Sequence, residues 1–168
     1  GVTPGQRVLY SVMDGVDFPA LFLGIMKIGA VALPINTYLK PSDYEYYIND
    51  SAAVAVIIDH TLVPAIQEVQ PRLSTLRHVI VARQAVQGFP LLDDLISAQP
   101  IGCDSHPTLP DDMAFWLYSS GSTGAPKGVV HTGNHIYWAS ELFGLGAQGI
   151  TENEVILCPP KMFFAFGL

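Results

Sequence analysis

One stretch of this 168-residue chain places hydroxyls, glycines and a lysine between two apolar runs. Gly121, Gly124 and Gly128 allow positive φ angles and a close approach of the backbone, so that successive N–H groups can point into one anion-binding concavity. Lys127 adds a positive charge, and Pro126 before it disfavours a helical continuation. The hydroxyl donors of the stretch are Ser119, Ser120, Ser122 and Thr123. This composition predicts a loop that binds a polyphosphate.

Two catalytic loops of similar composition are excluded by spacing. A Walker A loop has glycine, four residues and then Gly-Lys-Ser/Thr, whereas the count from Gly121 reaches Pro126-Lys127-Gly128. A nucleophile elbow has glycines two residues either side of its serine, and Ser122 has Ser120 on one side. A flexible hairpin turn rarely combines a Pro-Lys-Gly sequence with buried flanks. We therefore predict that a phosphate loop joins two neighbouring strands and leaves Lys127 exposed.

The composition indicates a folded domain and argues against polyanionic partners. Hydrophobic residues make up 49% of the chain, enough for a sizeable core. The formal net charge of −7 leaves no basic patch for nucleic acid or an anionic membrane surface. The apolar run at residues 18–33 is too short and too interrupted to span a bilayer. Cys103 and Cys158 lie in no ligand cluster, which predicts reduced thiols in a cytoplasmic protein.

Strand and helix patterns alternate over the first part of the chain. Strands are predicted at residues 7–12, 31–35, 52–58 and 78–82. Helices are predicted after the caps Asp17 and Ser42 and over residues 62–70 and 91–98. Such alternation is typical of an α/β fold, in which helices cover both faces of a mainly parallel sheet.

The second part of the chain carries the phosphate loop between two further strands, predicted at residues 113–118 and 128–131. Asn134 can cap a helix that buries apolar residues at positions 136, 139, 142 and 143, and a last strand is predicted at 155–158. His131 and His135 are four residues apart, but Gly133 and Asn134 break the helix that would aim both at one metal. We therefore expect two unrelated histidines and no metal site.

At these motifs the sequence resembles the acyl-adenylate-forming enzymes, which include acyl-CoA ligases, luciferases and peptide-synthetase adenylation domains. Their signature loop is similar to residues 118–128 over its whole length. The continuation at 129–132 and the residues at 163–168 resemble the benzoate-CoA ligase branch. The resemblance implies an incomplete N-terminal domain over 1–168, without the C-terminal domain. Its parts would be βα units at 1–98, a loop at 99–112, and a phosphate-loop and acyl-pocket segment at 113–168.

The resemblance implies an ATP-dependent ligase that acts in the degradation of aromatic compounds. In this family a carboxylate attacks the α-phosphate of Mg-ATP, which gives an acyl adenylate and pyrophosphate, and coenzyme A then forms the thioester. Such chemistry needs placement and charge stabilisation and no protein nucleophile. The implied cofactors are ATP, Mg²⁺ and coenzyme A, and the implied partner is a small aromatic carboxylic acid. Neither nucleic acid nor a membrane is expected, and the resemblance allows a homodimer of the complete protein.

Site residues follow from the same resemblance. Thr123 and Lys127 would be catalytic. The other residues that would hold the β- and γ-phosphates are Ser119, Ser120, Gly121, Ser122, Gly124 and Gly128. Phe164 lies where many relatives carry a histidine or aromatic residue that gates the acyl pocket, and Ala165 and Phe166 match residues that line it. Tyrosine is usual where this chain has Phe166, so one hydroxyl is missing. The groups for adenine, for ribose and for C-terminal catalysis would lie outside these residues, and the chain alone is expected to be inactive.

Two other function classes stay open: an NTPase of another class, and a non-catalytic nucleotide-binding or interaction module. The products of ATP separate the three classes. A ligase forms AMP and pyrophosphate, an NTPase forms ADP and phosphate, and a module forms neither.

Overall fold

The computed structural model describes residues 1–120 and 124–168. Within this part of the chain six strands form one sheet in the order β4-β3-β1-β2-β5-β6. The strands are β1 (Arg7–Ser11), β2 (Val31–Pro34), β3 (Ala55–Asp59), β4 (His78–Ala82), β5 (Met113–Ser119) and β6 (Lys127–Thr132). Neighbours from β4 to β5 pair in parallel, and β6 pairs antiparallel with β5 at the edge. The predicted mainly parallel sheet is confirmed.

Helices cover both faces of this sheet, as predicted. They are α1 (Asp17–Lys27), α2 (Pro41–Ser51), α3 (Val63–Val69), α4 (Leu92–Ser97) and α5 (Gly133–Trp138). Phe18 of α1 and Leu92 of α4 pack into one core, whereas Ile48 of α2 and Ile66 of α3 pack into the other. None of the helices in the described ranges is long and apolar enough to cross a membrane.

The central strand β1 shows why the apolar runs form buried strands. Its successive side chains point to opposite faces, so Val8 and Tyr10 enter the core under α1, and Leu9 enters the core under α2 and α3. The Tyr10 ring meets the Phe18 ring edge-on at 4.9 Å. A strand between two helical layers is mostly apolar on both faces, which is the pattern read from the sequence at residues 8–10.

All three predicted helix caps are wrong by a residue or two; Asn134, for example, lies inside α5, whose cap is Thr132. Asp17 is the first residue of α1 instead of its cap, and its side chain forms no cap hydrogen bond. Its carboxylate still lies in the first turn, where the helix dipole favours negative charge. α2 begins at Pro41, because proline suits the first helical position, and Ser42 is therefore already inside the helix. The Asp43 carboxylate instead accepts a hydrogen bond from the Lys40 N–H at 2.9 Å.

The predictions for the end of the chain are also partly wrong. Residues 155–158 form no strand, and Val155 and Leu157 are 99% and 88% exposed. A helix does follow β6, with π-helical geometry over Ala139–Ala147, but the apolar side chains predicted to be buried are exposed, including Leu142 and Phe143. No other element in the described ranges packs over them. This end of the chain therefore leaves an apolar surface uncovered.

Candidate active site

The predicted phosphate loop lies at the carboxyl ends of the parallel strands, the edge at which open α/β sheets bind ligands. β5 ends at Ser119 and β6 begins at Lys127, and these two residues are register partners. The loop thus joins neighbouring strands at the sheet edge, as predicted. β6 follows the turn at residues 124–126 directly, so no helix begins at 124–128 as a Walker-type NTPase would require.

The described part of the loop exposes groups that suit an anion. Ser119, Ser120, Gly124 and Lys127 are all exposed, and Lys127 forms no ion pair with any residue that the structure describes. Gly124 has a φ of +144°, a backbone angle that residues other than glycine rarely adopt. The other predicted site residues, Gly121, Ser122 and Thr123, lie outside the described residues. Phosphate binding by this loop stays a prediction.

Packing against the aromatic rings of β5 favours glycine at position 128. A Cβ at this position would lie 3.0 Å from Cε3 of Trp116 and 3.3 Å from Cζ of Tyr118. A larger residue would therefore require the Trp116 and Tyr118 rings to shift by a few tenths of an ångström. Packing therefore favours glycine here independently of any contact between its N–H and phosphate.

Helix α2 is bonded to both arms of the loop. The Tyr46 hydroxyl donates to the Pro126 carbonyl at 2.7 Å, just before Lys127. On the incoming arm, the Tyr118 hydroxyl donates to Oδ2 of Asp50 at 2.8 Å. The Tyr47 ring fills the space between them and meets the Tyr118 ring edge-on at 4.5 Å. These contacts hold the two arms of the loop against a helix that is itself anchored in the core.

The hydrogen bond from Tyr118 requires a protonated phenol. Burial, and then the hydrogen bond to Asp50, raise the pKa of Tyr118 far above its usual value. The phenol therefore stays protonated at neutral pH and remains a donor to Asp50. Bonds of this charge-assisted kind are stronger than neutral ones.

We expect Tyr46→Phe to loosen the outgoing arm of the loop. The change removes one hydroxyl and keeps the ring that packs on Tyr47, so the free energy of unfolding should fall by only about 0.5–1.5 kcal/mol in urea. Hydrogen exchange should rise at the start of β6 and stay unchanged in β1 and β3. Tyr38→Phe is the matched control, because Tyr38 is 73% exposed. Equal exchange in the two variants would contradict the role of Tyr46.

The predicted acyl-pocket segment is tied to the turn after β1. Asp14 accepts from the Met162 N–H at 3.3 Å and pairs with the Lys161 ammonium at 3.1 Å. The segment then turns so tightly that a Cβ at Gly167 would overlap the carbonyl of Lys161. Phe163 is buried in the core under α1. The segment is therefore fixed at the same edge of the sheet as the phosphate loop.

A cavity of about 480 Å³ brings the two predicted sites together. Its walls come from the end of β2, from α2, from both arms of the phosphate loop and from the acyl-pocket segment. The lining residues are Pro34, Ile35, Asn36, Leu39, Tyr47, Tyr118, Ser119, Ser120, Pro126, Phe163, Phe164 and Ala165. Phe166, in contrast, is 81% exposed and does not line this cavity. Its role as a pocket wall stays a prediction.

A second cavity, of about 330 Å³, lies on the α1 side and shares Ala165 with the first. It is bordered by His131 and His135, whose Nδ1 atoms are 3.3 Å apart. The expectation of two unrelated histidines is wrong, because β6 ends at Thr132 and α5 begins at once, so the chain turns between them. Burial, and then the charge of His135, lower the pKa of His131.

Sequence reasoning did not identify Tyr46, Asp50 or Asp14 as supports of the site. Tyr46 and Pro126 are 80 positions apart, and Asp14 and Met162 are 148 apart. The one available signal was the tyrosine-rich sequence of α2, which gives this helix an aromatic residue on its buried face. Tyr44 does occupy that buried face, and Tyr46 and Tyr47 turn toward the loop.

The sequence profile of the AMP-binding enzyme family matches residues 1–168. A benzoate-CoA ligase of Thauera aromatica is 44% identical over 168 residues, which are 100% of this chain and 32% of that protein. A 3-hydroxybenzoate-CoA ligase of Aromatoleum sp. (strain CIB) is 38% identical, again over 100% of this chain and 32% of its own length. The chain thus spans about a third of the length of these curated relatives. The predicted similarity to benzoate-CoA ligases is confirmed.

Solved structures agree with this relationship. A benzoate CoA ligase from Burkholderia xenovorans LB400 superposes with a TM-score of 0.86 at 37% identity and covers 98% of this chain and 32% of its own. The anthranilate CoA ligase AuaEII in complex with anthranoyl-AMP also gives 0.86, at 30% identity over 97% of this chain and 32% of its own. The sheet, the phosphate loop at its edge and a profile match over every residue lead to one conclusion: this chain belongs to the AMP-binding enzyme family.

Proposed function

We propose that these residues form part of the N-terminal domain of an ATP-dependent aromatic acid-CoA ligase that acts on benzoate or a close relative. One observation carries the proposal: a single cavity is lined both by the arms of the phosphate loop and by the acyl-pocket segment. A carboxylate held against Phe164 and Ala165 would lie beside the phosphates of ATP held at Ser119, Ser120 and Lys127. That juxtaposition is what acyl-adenylate formation requires.

The chemistry can be assigned to groups of this chain. The carboxylate oxygen of the acid bonds to the α-phosphorus, the bond to the bridging oxygen breaks, and pyrophosphate leaves with the electron pair. The exposed Lys127 ammonium and the hydroxyls and N–H groups of residues 119–128 would neutralise the charge that develops on the leaving group. Thr123 is proposed to add a hydroxyl contact. Coenzyme A would then displace AMP to give the thioester.

Mg²⁺ would enter with the nucleotide. The ion keeps several waters and is bound mainly through substrate phosphates and one or two carboxylates, so it does not need a cage of protein ligands. We therefore assign Mg²⁺ to the ATP complex, with no separate protein site.

The acyl end of the cavity suits a flat ring. Phe164 and the buried Phe163 supply ring faces, and Ala165 is the one small side chain of the segment, which leaves room for the substrate. The names of the curated relatives refer to benzoate and 3-hydroxybenzoate. We propose unsubstituted benzoate as the first substrate to test, because the relative that is 44% identical to this chain is named for benzoate.

Two observations support the proposal that these residues belong to a larger domain. The relatives are about three times as long, and the apolar side chains of the α5 region and of Val155 to Leu157 are exposed, as expected if other segments pack on them. We propose the division into βα units at 1–98, a loop at 99–112 and the site segment at 113–168, and we expect the 168 residues alone to show no turnover.

A cytoplasmic location suits the two free, exposed thiols. The homodimer stays a prediction that light scattering can test.

The products of ATP test the proposal. We expect the complete protein, given benzoate, coenzyme A and Mg-ATP, to form benzoyl-CoA, AMP and pyrophosphate in equal amounts. Omission of benzoate is the control and should abolish AMP formation. ADP and phosphate would identify an NTPase instead, and an absence of any product would identify a non-catalytic module.

A further inference from the structure

Arg83 directly follows β4 and adopts a backbone conformation that is unfavourable for arginine. Its φ is +74°, in the left-handed region that favours glycine. The Gln84 N–H donates to the Ala82 carbonyl at 3.0 Å, so Arg83 is the central residue of a γ-turn of the rare, strained form. Strained residues persist where the surrounding contacts hold them, and they cluster at functional sites. The contacts of the Arg83 side chain therefore need an explanation.

The Arg83 side chain joins the ends of three strands. Its Nε lies 3.2 Å from Oδ2 of Asp59, which is the last residue of β3 and only 1% exposed. Its Nη2 donates to the Met13 carbonyl at 2.8 Å and to the Asp14 carbonyl at 3.4 Å, in the turn after β1. A Cβ on Gly15 would lie 3.1 Å from the same Nη2, so glycine lets this turn approach the guanidinium closely.

The Asp59 carboxylate orients the guanidinium. Its Oδ1 accepts from the Thr61 N–H at 3.2 Å and from the Thr61 hydroxyl at 2.9 Å, which fixes the carboxylate at the end of β3. Nδ1 of His60 also lies 3.1 Å from Oδ1, but this ring is charged only when it is protonated. Arg83 is thus the permanent positive charge beside a buried carboxylate. Its several N–H groups let it contact a carboxylate and a carbonyl at once.

The turn after β1 in turn holds the acyl-pocket segment. The Asp14 carbonyl faces Arg83, whereas the Asp14 carboxylate accepts from the Met162 N–H and pairs with the Lys161 ammonium. Residues 163–165 follow directly and line the cavity that contains both predicted sites. A displacement of the turn would therefore move one wall of that cavity. The phosphate loop is held separately, by α2.

We propose that Arg83 is a positioning residue for the aromatic acid: with Asp59 it fixes the turn after β1, and through Asp14 it sets the position of the acyl-pocket segment. The inference rests on the proposed ligase function and deepens it, because Arg83 itself does not line the cavity. Loss of the Arg83 side chain should therefore impair use of the acid and spare ATP. A misplacement of about 1 Å by a remote substitution can cost roughly 100-fold in rate.

The test is Arg83→Gly in the complete protein, since glycine suits a φ of +74° and the substitution removes the contacts of the side chain. We expect kcat/KM for benzoate to fall by roughly 10- to 100-fold, mainly through KM, while KM for ATP stays unchanged. Arg77→Gly is the matched control. Arg77 is exposed just before β4, at the opposite end of the strand, and forms no ion pair with the residues that the structure describes.

A double-mutant cycle with Asp14→Ala tests the route from Arg83 to the segment. Asp14→Ala should itself raise KM for benzoate, and Arg83→Gly should add little in that background, because the turn no longer contacts the segment. Independent effects of the two substitutions would overturn the proposal.

A second variant covers a failure of Arg83→Gly to fold, since this substitution leaves the Asp59 carboxylate buried without its charge partner. Arg83→Gly combined with Asp59→Asn removes both charges and keeps the shape of the Asp59 side chain. It should show the same selective rise in KM for benzoate. An unchanged KM for benzoate in this folded double variant would overturn the proposal.

Hydrogen exchange of the complete protein without substrate separates this inference from the proposed function. Arg83→Gly should raise exchange at residues 161–165, where the Met162 N–H is bonded to Asp14, and leave β2 and β6 unchanged. Unchanged exchange at 161–165, or an equal rise in β6, would overturn the positioning role. A parent protein that forms no benzoyl-CoA would refute the proposed function alone, and the exchange result then decides the role of Arg83.

Discussion

Lys127→Ala in the complete protein is expected to slow adenylation of benzoate by roughly 10²–10³-fold, about 2.7–4 kcal/mol of transition-state stabilisation. Lys127 is exposed at the first position of β6 and is the only cation within residues 118–130 of the sequence, so no neighbour in this segment can replace its charge. The loss should appear in kcat as well as in kcat/KM, because the charge on pyrophosphate grows as the bond breaks.

Two companion variants separate charge from folding. Lys127→Arg keeps the charge and should recover part of the rate, although the planar guanidinium is not equivalent to a compact ammonium. Lys27→Ala removes an exposed lysine from the end of α1, away from the loop, and should leave the rate unchanged. Lys127→Ala with an unchanged rate of adenylation would remove this residue from the mechanism.

Ala165→Leu is expected to exclude benzoate-sized acids while ATP still binds. Ala165 lines both cavities, so three added carbons would occupy space that the substrate ring needs in the first of them. Overpacking of this kind costs about 1–3 kcal/mol, or roughly 10- to 200-fold in kcat/KM for benzoate. The measurement is kcat/KM for benzoate and for a short aliphatic acid, together with the dissociation constant of ATP.

The control for this substitution is Ala20→Leu, which makes the same change at an exposed position of α1. It should leave both acids and ATP unaffected. Benzoate activity that tolerates Ala165→Leu would place the acyl pocket elsewhere. Aliphatic acids that outperform benzoate in the unmodified enzyme would contradict the proposed substrate directly.

The sequence was most informative where local physics decides the structure. The strands of the parallel sheet were predicted within a few residues, because a strand buried on both faces must be a continuous apolar run, as in β3. The phosphate loop was placed between β5 and β6 because its glycines and Pro126 permit neither a helix nor a strand. In both cases the signal lies within about ten neighbouring residues.

Contacts between distant residues were not predictable in this way. The bond from Tyr46 to Pro126 depends on how α2 lies over the sheet, which no local pattern encodes. His131 and His135 were treated as parts of a broken helix, whereas the junction of a strand and a helix turns the chain and brings them together. The strand predicted at 155–158 failed because an apolar run needs a pairing neighbour, and Val155 to Leu157 are exposed.

The most direct test of the central claim is exchange of labelled pyrophosphate into ATP by the complete protein in the absence of coenzyme A. Exchange requires reversible formation of an acyl adenylate and does not depend on the later thioester step. We predict label in ATP that depends on benzoate and that falls by roughly 10²–10³-fold in Lys127→Ala. Label that enters ATP equally without benzoate, or no exchange in a protein that still consumes ATP, would contradict an adenylate-forming ligase.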